Sequence, residues 1–469
     1  MARKVGALLF ILLSLTASCV VFVNAVSDSE RSRWNSWGSK ASMPTERVTV
    51  GAAAVNGKIY AIGGNGEIDN ANEMYDPKTD TWTTKAPMLT ARRSCGIAVY
   101  QDKIYVMGGI TGYNESTHSY MISGVNEVYD PAAYTWETKT PMPTRRYGIG
   151  ANVADGKIYV IGGKNASGWI DGVNEVYNPV TDTWTTKAPI PTRVSFYASA
   201  VVDNKIYVIG GSNGSVYVDL TQIYDPETDT WSNGTPIPFP ATGVGAGATT
   251  GVYAPKRIYV IGAVQPYGKA DMGGNVVLVT NVQNQIYDPE TDSWTTGAAL
   301  PIARILFGVA VVDDMLYAIG GTNSMIFSSY ITFGDNQQYT PYGYGTMPPV
   351  VSIVSPENKN YTSGNVSLAF TVNKPVAWTG YSLDGQDNVT ITGNITLSGL
   401  PSGLHNITVY AKDSFENTGT SETITLRITE PFPTMFVAVA AVAGAVGVGL
   451  IVYFTKIKKN QSINLTKGS

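Results

Sequence analysis

A short apolar run ending in two glycines recurs six times along the chain: IYAIGG from Ile59, IYVMGG from Ile104, IYVIGG from Ile158 and from Ile206, IYVIGA from Ile258 and LYAIGG from Leu316. The copies are spaced by 45, 54, 48, 52 and 58 residues. Self-similarity at such a period marks a chain of stacked supersecondary units. A second element follows each of the first five copies: YDPKTDTW from Tyr75, YDPAAYTW from Tyr129, YNPVTDTW from Tyr177, YDPETDTW from Tyr224 and YDPETDSW from Tyr287. After the sixth copy only Tyr339-Thr340-Pro341 remains, and the next tryptophan is Trp378, in another context.

Each unit reads as four short strands. An alternating run such as VGAAAV is the first, and the turn Asn56-Gly57 leads into IYAIGG, the second. A variable loop follows, then a third strand that stops at Tyr-Asp-Pro, since proline cannot continue a ladder, and a fourth that begins at the tryptophan. A single sheet of this size buries too little apolar surface, whereas copies stacked in a ring cover both faces of each.

With a period near ~50, a double glycine and a tryptophan marker, the segment 34–345 resembles kelch repeats. The resemblance implies an all-β, six-bladed kelch-type β-propeller. It also implies closure by exchange, one terminus donating a strand to the blade built by the other. The segment 34–39 holds a tryptophan strand with no unit of its own, so Trp37 is expected to complete the sixth blade, built from 305–341.

Past Pro348-Pro349 the repeat gives way to alternating β-branched runs such as VSLAFTV, NVTITGNITL and HNITVYAKD. Residues 350–430 therefore read as a β-sandwich, and they resemble the immunoglobulin-like modules of prokaryotic surface proteins. Its expected role is a stalk.

The two ends set the expected topology. Residues 1–25 have a basic start at Arg3 and Lys4, an apolar stretch and small-residue chemistry at Val23-Asn24-Ala25, the pattern of a secretory signal peptide. Residues 435–454 carry no charge over a length that spans ~30 Å of hydrocarbon as a helix. Lys456, Lys458 and Lys459 follow, which places the tail 455–469 in the cytoplasm and the bulk outside, in a single-pass cell-membrane protein. Six of the 32 basic residues lie in these flanks, leaving 26 against 36 acidic ones, a balance that argues against nucleic acid as a partner. Cys95 is the one cysteine past the signal, so no internal disulfide is expected. Sequons cluster at Asn360, Asn365, Asn388, Asn394 and Asn406, candidate glycosylation sites in the stalk.

Catalytic and metal chemistry find little support. The two histidines, His118 and His405, fall in different modules. The copper-dependent galactose oxidase group, which shares the propeller, needs two histidines at its metal, so no cofactor or metal is expected. Carboxylates in Asp-Thr-Trp recur with the repeat and read as turn residues.

A recurring arginine is the better candidate. Arg47, Arg92, Arg146 and Arg304 each stand eleven residues before the start of the second strand, and Arg193 stands twelve before it. They share the mouth of the ring with the loops that follow Gly-Gly, which carry Tyr113, His118, Tyr120, Trp169, Tyr217, Tyr267 and Phe327. Two readings are open: the arginines, with Tyr113 and Trp169, grip an anionic ligand by bidentate bonds, or each serves its own repeat. The expected function is a surface-displayed module that binds a glycan, a cell-wall polymer or a protein. The alternatives are a carbohydrate-active enzyme resembling the six-bladed sialic-acid epimerases, with Glu67, Glu115 or Asp271 as acid or base, and an architectural surface-layer component.

Overall fold

The computed structural model describes residues 34–65, 69–169, 172–270, 276–323 and 331–429. The expected signal peptide, the apolar segment 435–454 and the tail lie outside these, as do Glu67, Asp271 and Phe327. Every regular element among the described residues is a strand, and none of them forms a helix long and apolar enough to cross a membrane.

Six antiparallel sheets of four strands follow the six repeats. In the first, Gly51–Val55, Lys58–Ile62, Asn72–Asp76 and Thr81–Thr84 pair in chain order. The turn between its first two strands holds Asn56 at φ 49° and Gly57 at φ 71°. Two consecutive left-handed residues match the twist of the flanking strands, which is why Asn-Gly stands there. The sixth sheet runs Gly308–Val312, Met315–Ile319 and Asn336–Thr340, and its outer strand is Ser36–Lys40 from the other end of the chain, with Trp37 opposite Tyr339.

The sheets bury their faces against one another. One apolar cluster fills each junction, for example Ile161, Val176, Ile206, Val208 and Tyr224 between the third and fourth sheets, and Ile59, Ala61, Tyr75, Tyr317 and Ile319 between the first and sixth. The innermost strands touch in cyclic order, the first against the sixth included. Just before each innermost strand, Thr49, Ser94, Gly148, Phe196, Gly243 and Leu306 adopt φ between 53° and 65°. Each donates its N–H to the carbonyl of the preceding one in a closed circuit, with Thr49 donating to Leu306 at 2.6 Å and Leu306 to Gly243 at 2.8 Å. The circuit rims a cavity of about 130 Å³ that Cys95 and Tyr197 also line.

A clasp also joins neighbouring sheets at the outside. Tyr75 donates its hydroxyl to Asp80 Oδ1 (2.7 Å), which also accepts the Ala41 N–H (2.8 Å), while Trp82 Nε1 donates to the Ala41 carbonyl (2.7 Å). The arrangement recurs with Asp182 and Trp184, Asp229 and Trp231, and Asp292 and Trp294. The Asp of Asp-Thr-Trp is thus an inter-sheet acceptor as well as a turn residue. In the sixth sheet Asn35 accepts from Tyr339 (2.7 Å) and from Ala298 N, and Trp37 Nε1 donates to the Ala298 carbonyl (2.9 Å).

Residues 351–428 form two further sheets over one core of Val366, Leu368, Leu397, Ile407, Val409, Ala411 and Leu426. This module is gripped by the first six sheets at the turn side of the fifth. There residues 249–257 replace the two-residue turn, and the Asp314 carboxylate accepts the N–H groups of Thr250 (2.6 Å), Tyr253 (2.7 Å) and Ala254 (3.0 Å). The loop so held presents Tyr253 to Tyr344 and to the ammonium of Lys374, which pairs with Asp413 at 2.7 Å, both side chains buried.

Candidate binding face

Single-residue bridges show which end of the sheets carries the variable loops. Val48 pairs with Asn65, Arg93 with Ile110, Tyr147 with Lys164, Ser195 with Ser212 and Ile305 with Thr322. Each ties the segment entering the innermost strand to the segment leaving Gly-Gly, so both lie on one face, opposite the end that grips residues 351–428. Hairpins rise from this face: Ile110–Asn114 with Ser119–Ile122, Lys164–Asn165 with Gly168–Trp169, and the outer halves of Ile258–Ala270 and Val276–Asp288.

Four of the candidate arginines are on this face but turned away from it. Arg47, Arg92, Arg146 and Arg304 are at most 1% exposed. Arg47 Nη2 meets Glu73 Oε2 at 2.7 Å, and its Nη1 donates to the carbonyls of Gly63 (2.7 Å) and Ala71 (3.0 Å). Arg92 pairs with Glu127 at 3.2 Å, and Arg146 with Glu175 at 2.8 Å. The other oxygen of each carboxylate accepts a threonine hydroxyl, from Thr45, Thr90 and Thr144. Of the two open readings, the burial and pairing of these three favour service to the repeat over a solvent-facing anion grip: each closes the end of its own sheet, against a glutamate of its own third strand. Burial holds Arg47 and Arg146 below the usual guanidinium value against the opposing pull of the glutamates.

Arg193 behaves otherwise because it is one residue out of phase. Val194 occupies the buried position, and Arg193 is exposed in a cleft shared with Pro191, Asn213 and Ser215. Arg304 keeps the buried position but has lost the glutamate, whose place in the sequence is Gln337.

Aromatic side chains make the continuous feature of the face. Tyr113, 42% exposed, meets Tyr120 edge-on with ring centroids 5.6 Å apart. Tyr120 meets Tyr147 at 6.0 Å, and Tyr147 meets Phe196 at 5.9 Å, also edge-on. The Arg93 guanidinium lies over Tyr120 at 5.8 Å. The series runs from the tip hairpin of the second sheet to the rim of the central cavity. His118 and Glu115 are exposed at that hairpin's tip, and Trp169 stands opposite Lys164 in its own short hairpin. Among the described residues no group of three or more His, Cys, Asp or Glu is placed to hold a metal ion. The five sequon asparagines Asn360, Asn365, Asn388, Asn394 and Asn406 are all exposed.

Comparison with known proteins bears on the repeat. Residues 46–89 match the Kelch motif, and residues 97–321 match the KLHDC2/KLHL20/DRC7 Kelch-repeats domain. This is a kelch-repeat protein. Kelch-like protein 7 of Homo sapiens is 47% identical over 134 residues, 29% of this chain and 23% of that protein. Beta-scruin of Limulus polyphemus is 27% identical over 134 residues, 28% of this chain and 15% of that protein. Halomucin of Haloquadratum walsbyi is 43% identical over 83 residues, covering 16% of this chain and 1% of that protein. These matches span less than a quarter of the curated relatives' own length. The solved structure of YjhT superposes with a TM-score of 0.52 at 18% identity, over 62% of this chain and 98% of that one, a likeness of fold. Within the kelch repeats, the Asn-Glu pairs at 72–73, 126–127 and 174–175 were the readable signal for the buried arginines, since they occur in three of the four repeats that carry one.

Proposed function

We propose that this kelch-repeat protein is a binding module whose ligand, a protein or a glycan, docks on the loop face. The observation that carries this reading is the aromatic series Tyr113, Tyr120, Tyr147 and Phe196 with Arg93 alongside. Tyr113 and Tyr120, backed by the buried Tyr147, offer rigid contact area at low entropic cost, to a sugar ring or to a protein side chain. The opposite end is engaged with residues 351–428, which among the described residues leaves the loop face as the open one. Kelch domains in general act as protein-binding modules, which favours a protein partner.

In this reading the six sheets are the blades of one six-bladed propeller. Residues 350–430 are an immunoglobulin-like stalk, and the apolar segment 435–454 anchors the whole in the cell membrane with the loop face outward. Glycan and peptide arrays probed with the full chain test it. Binding that falls at least tenfold in Tyr113→Ala and Tyr120→Ala, with an unchanged melting temperature, supports the face. Equal binding by these variants, or turnover of a bound sugar, overturns it.

A further inference from the structure

We propose that a small monovalent anion, of the halide or formate class, sits against the buried guanidinium of Arg304 in the sixth sheet. The six repeats provide their own comparison. At the buried position before the innermost strand and at the second residue of the third strand they read Arg47 and Glu73, Arg92 and Glu127, Arg146 and Glu175, Val194 and Gln222, Ala241 and Gln285, and Arg304 and Gln337. Charge and countercharge are present together three times and absent together twice. The sixth repeat alone keeps the cation without its partner.

The geometry agrees with the sequence. Arg304 is 0% exposed, and its Nη1 makes long bonds to the carbonyls of Gly320 (3.3 Å) and Asp335 (3.4 Å). Nε and Nη2 have no hydrogen-bond partner among the described residues; Arg92 also leaves Nε and Nη1 unpartnered, but its Nη2 meets a glutamate. Gln337 cannot serve, because its amide is exchanged with the Ser39 hydroxyl of the closing strand at 3.2 to 3.4 Å. The Phe333 ring, 5.3 Å from the guanidinium, supplies a π face and no acceptor. The Asp335 carboxylate attracts Arg304 through space, but the hydrogen bond between the two residues goes to the Asp335 backbone carbonyl. A buried charge without a bonded counter-ion is among the costliest arrangements a fold can keep, and a guanidinium never sheds its proton at ordinary pH. A halide or formate ion placed where Glu73 Oε2 lies in the first sheet removes that cost. With Arg304 at 0% exposure, the proposed ion is one of few atoms.

The test is thermal unfolding of the full chain at constant ionic strength, with sodium isethionate replaced stepwise by sodium chloride and, separately, by sodium formate. The melting temperature is expected to rise by about 3 °C and to saturate with at least one of the two ions, as site binding requires. Gln337→Glu, which supplies the internal carboxylate, is expected to melt higher in isethionate and to show no response to either ion. Arg304→Met is expected to lose the response as well. A wild type indifferent to both ions, or a response that persists in Gln337→Glu, overturns the proposal. Should Arg304→Met fail to fold, the Gln337→Glu arm decides alone.

Discussion

The glutamates beside the buried arginines are the most sensitive single residues. Glu73→Ala strands Arg47 in a site where both members of the pair are withdrawn from water, and is expected to cost about 3–5 kcal/mol, read from urea denaturation. His405 offers a second test at this scale. Both its ring nitrogens lie 2.8 Å from acceptors, the Pro401 carbonyl and Asp384 Oδ2, an arrangement that favours the doubly protonated ring. The bond to Pro401, then that to Asp384, raises its pKa above 6.5. The stabilisation is therefore complete below pH 6.5 and drains away as pH rises through the raised value; Asp384, held below its usual range, loses its share only in acid. Unfolding measured across pH should show this alkaline loss in the wild type and its absence in His405→Gln. Little of this was legible beforehand: the arginine recurrence stood out, but whether a guanidinium faces water depends on a carboxylate some 26 to 35 residues downstream, a pairing that only the returning third strand creates.

At the level of the strand, the inter-sheet clasp has one irregular member. In the second sheet Tyr134 stands where four other sheets have aspartate, and the Tyr129 hydroxyl is left without a partner. Tyr134 also holds φ 60°, a conformation that aspartate tolerates better than a bulky aromatic. Tyr134→Asp is expected to stabilise by about 1 kcal/mol, less the loss of the Lys85 contact to the ring, by the same denaturation assay. In the closing strand, Trp37→Ala should cost about 2 kcal/mol, and Asn35→Ala should lower the melting temperature by removing an acceptor shared by Tyr339 and Ala298. These elements were the most readable part of the chain, because Gly-Gly, Tyr-Asp-Pro and Trp are each demanded by a local turn or strand end. The thirteen-residue strands Ile258–Ala270 and Val276–Asp288 were not, since the sequence between the fifth glycine and Tyr287 shows no repeat signal.

For the molecule as a whole, the junction with residues 351–428 rests on a loop that a single sheet possesses. Replacing residues 249–257 by Asn-Gly should remove Tyr253 and with it the contacts to Tyr344 and Lys374, and small-angle scattering should then show a broadened distribution of maximum dimension. An unchanged profile would mean that the contacts of Tyr344 with Phe415, of Gly345 with Asn417 and of Met347 with Lys374 hold the modules without that loop. The sequence announced the boundary at Pro348-Pro349 but not the grip, because an insertion in a turn looks like any other loop until its partner is in place.

The strand Ser36–Lys40 also carries a consequence for how the protein is made. It leaves the ribosome before every sheet it helps to complete, and its partner Asn336–Thr340 follows about 300 residues later, roughly 15–60 s at ordinary rates of synthesis. Through that interval its tryptophan has nowhere to dock. A chain broken off anywhere before the last repeat therefore displays an unsatisfied edge and a bare aromatic.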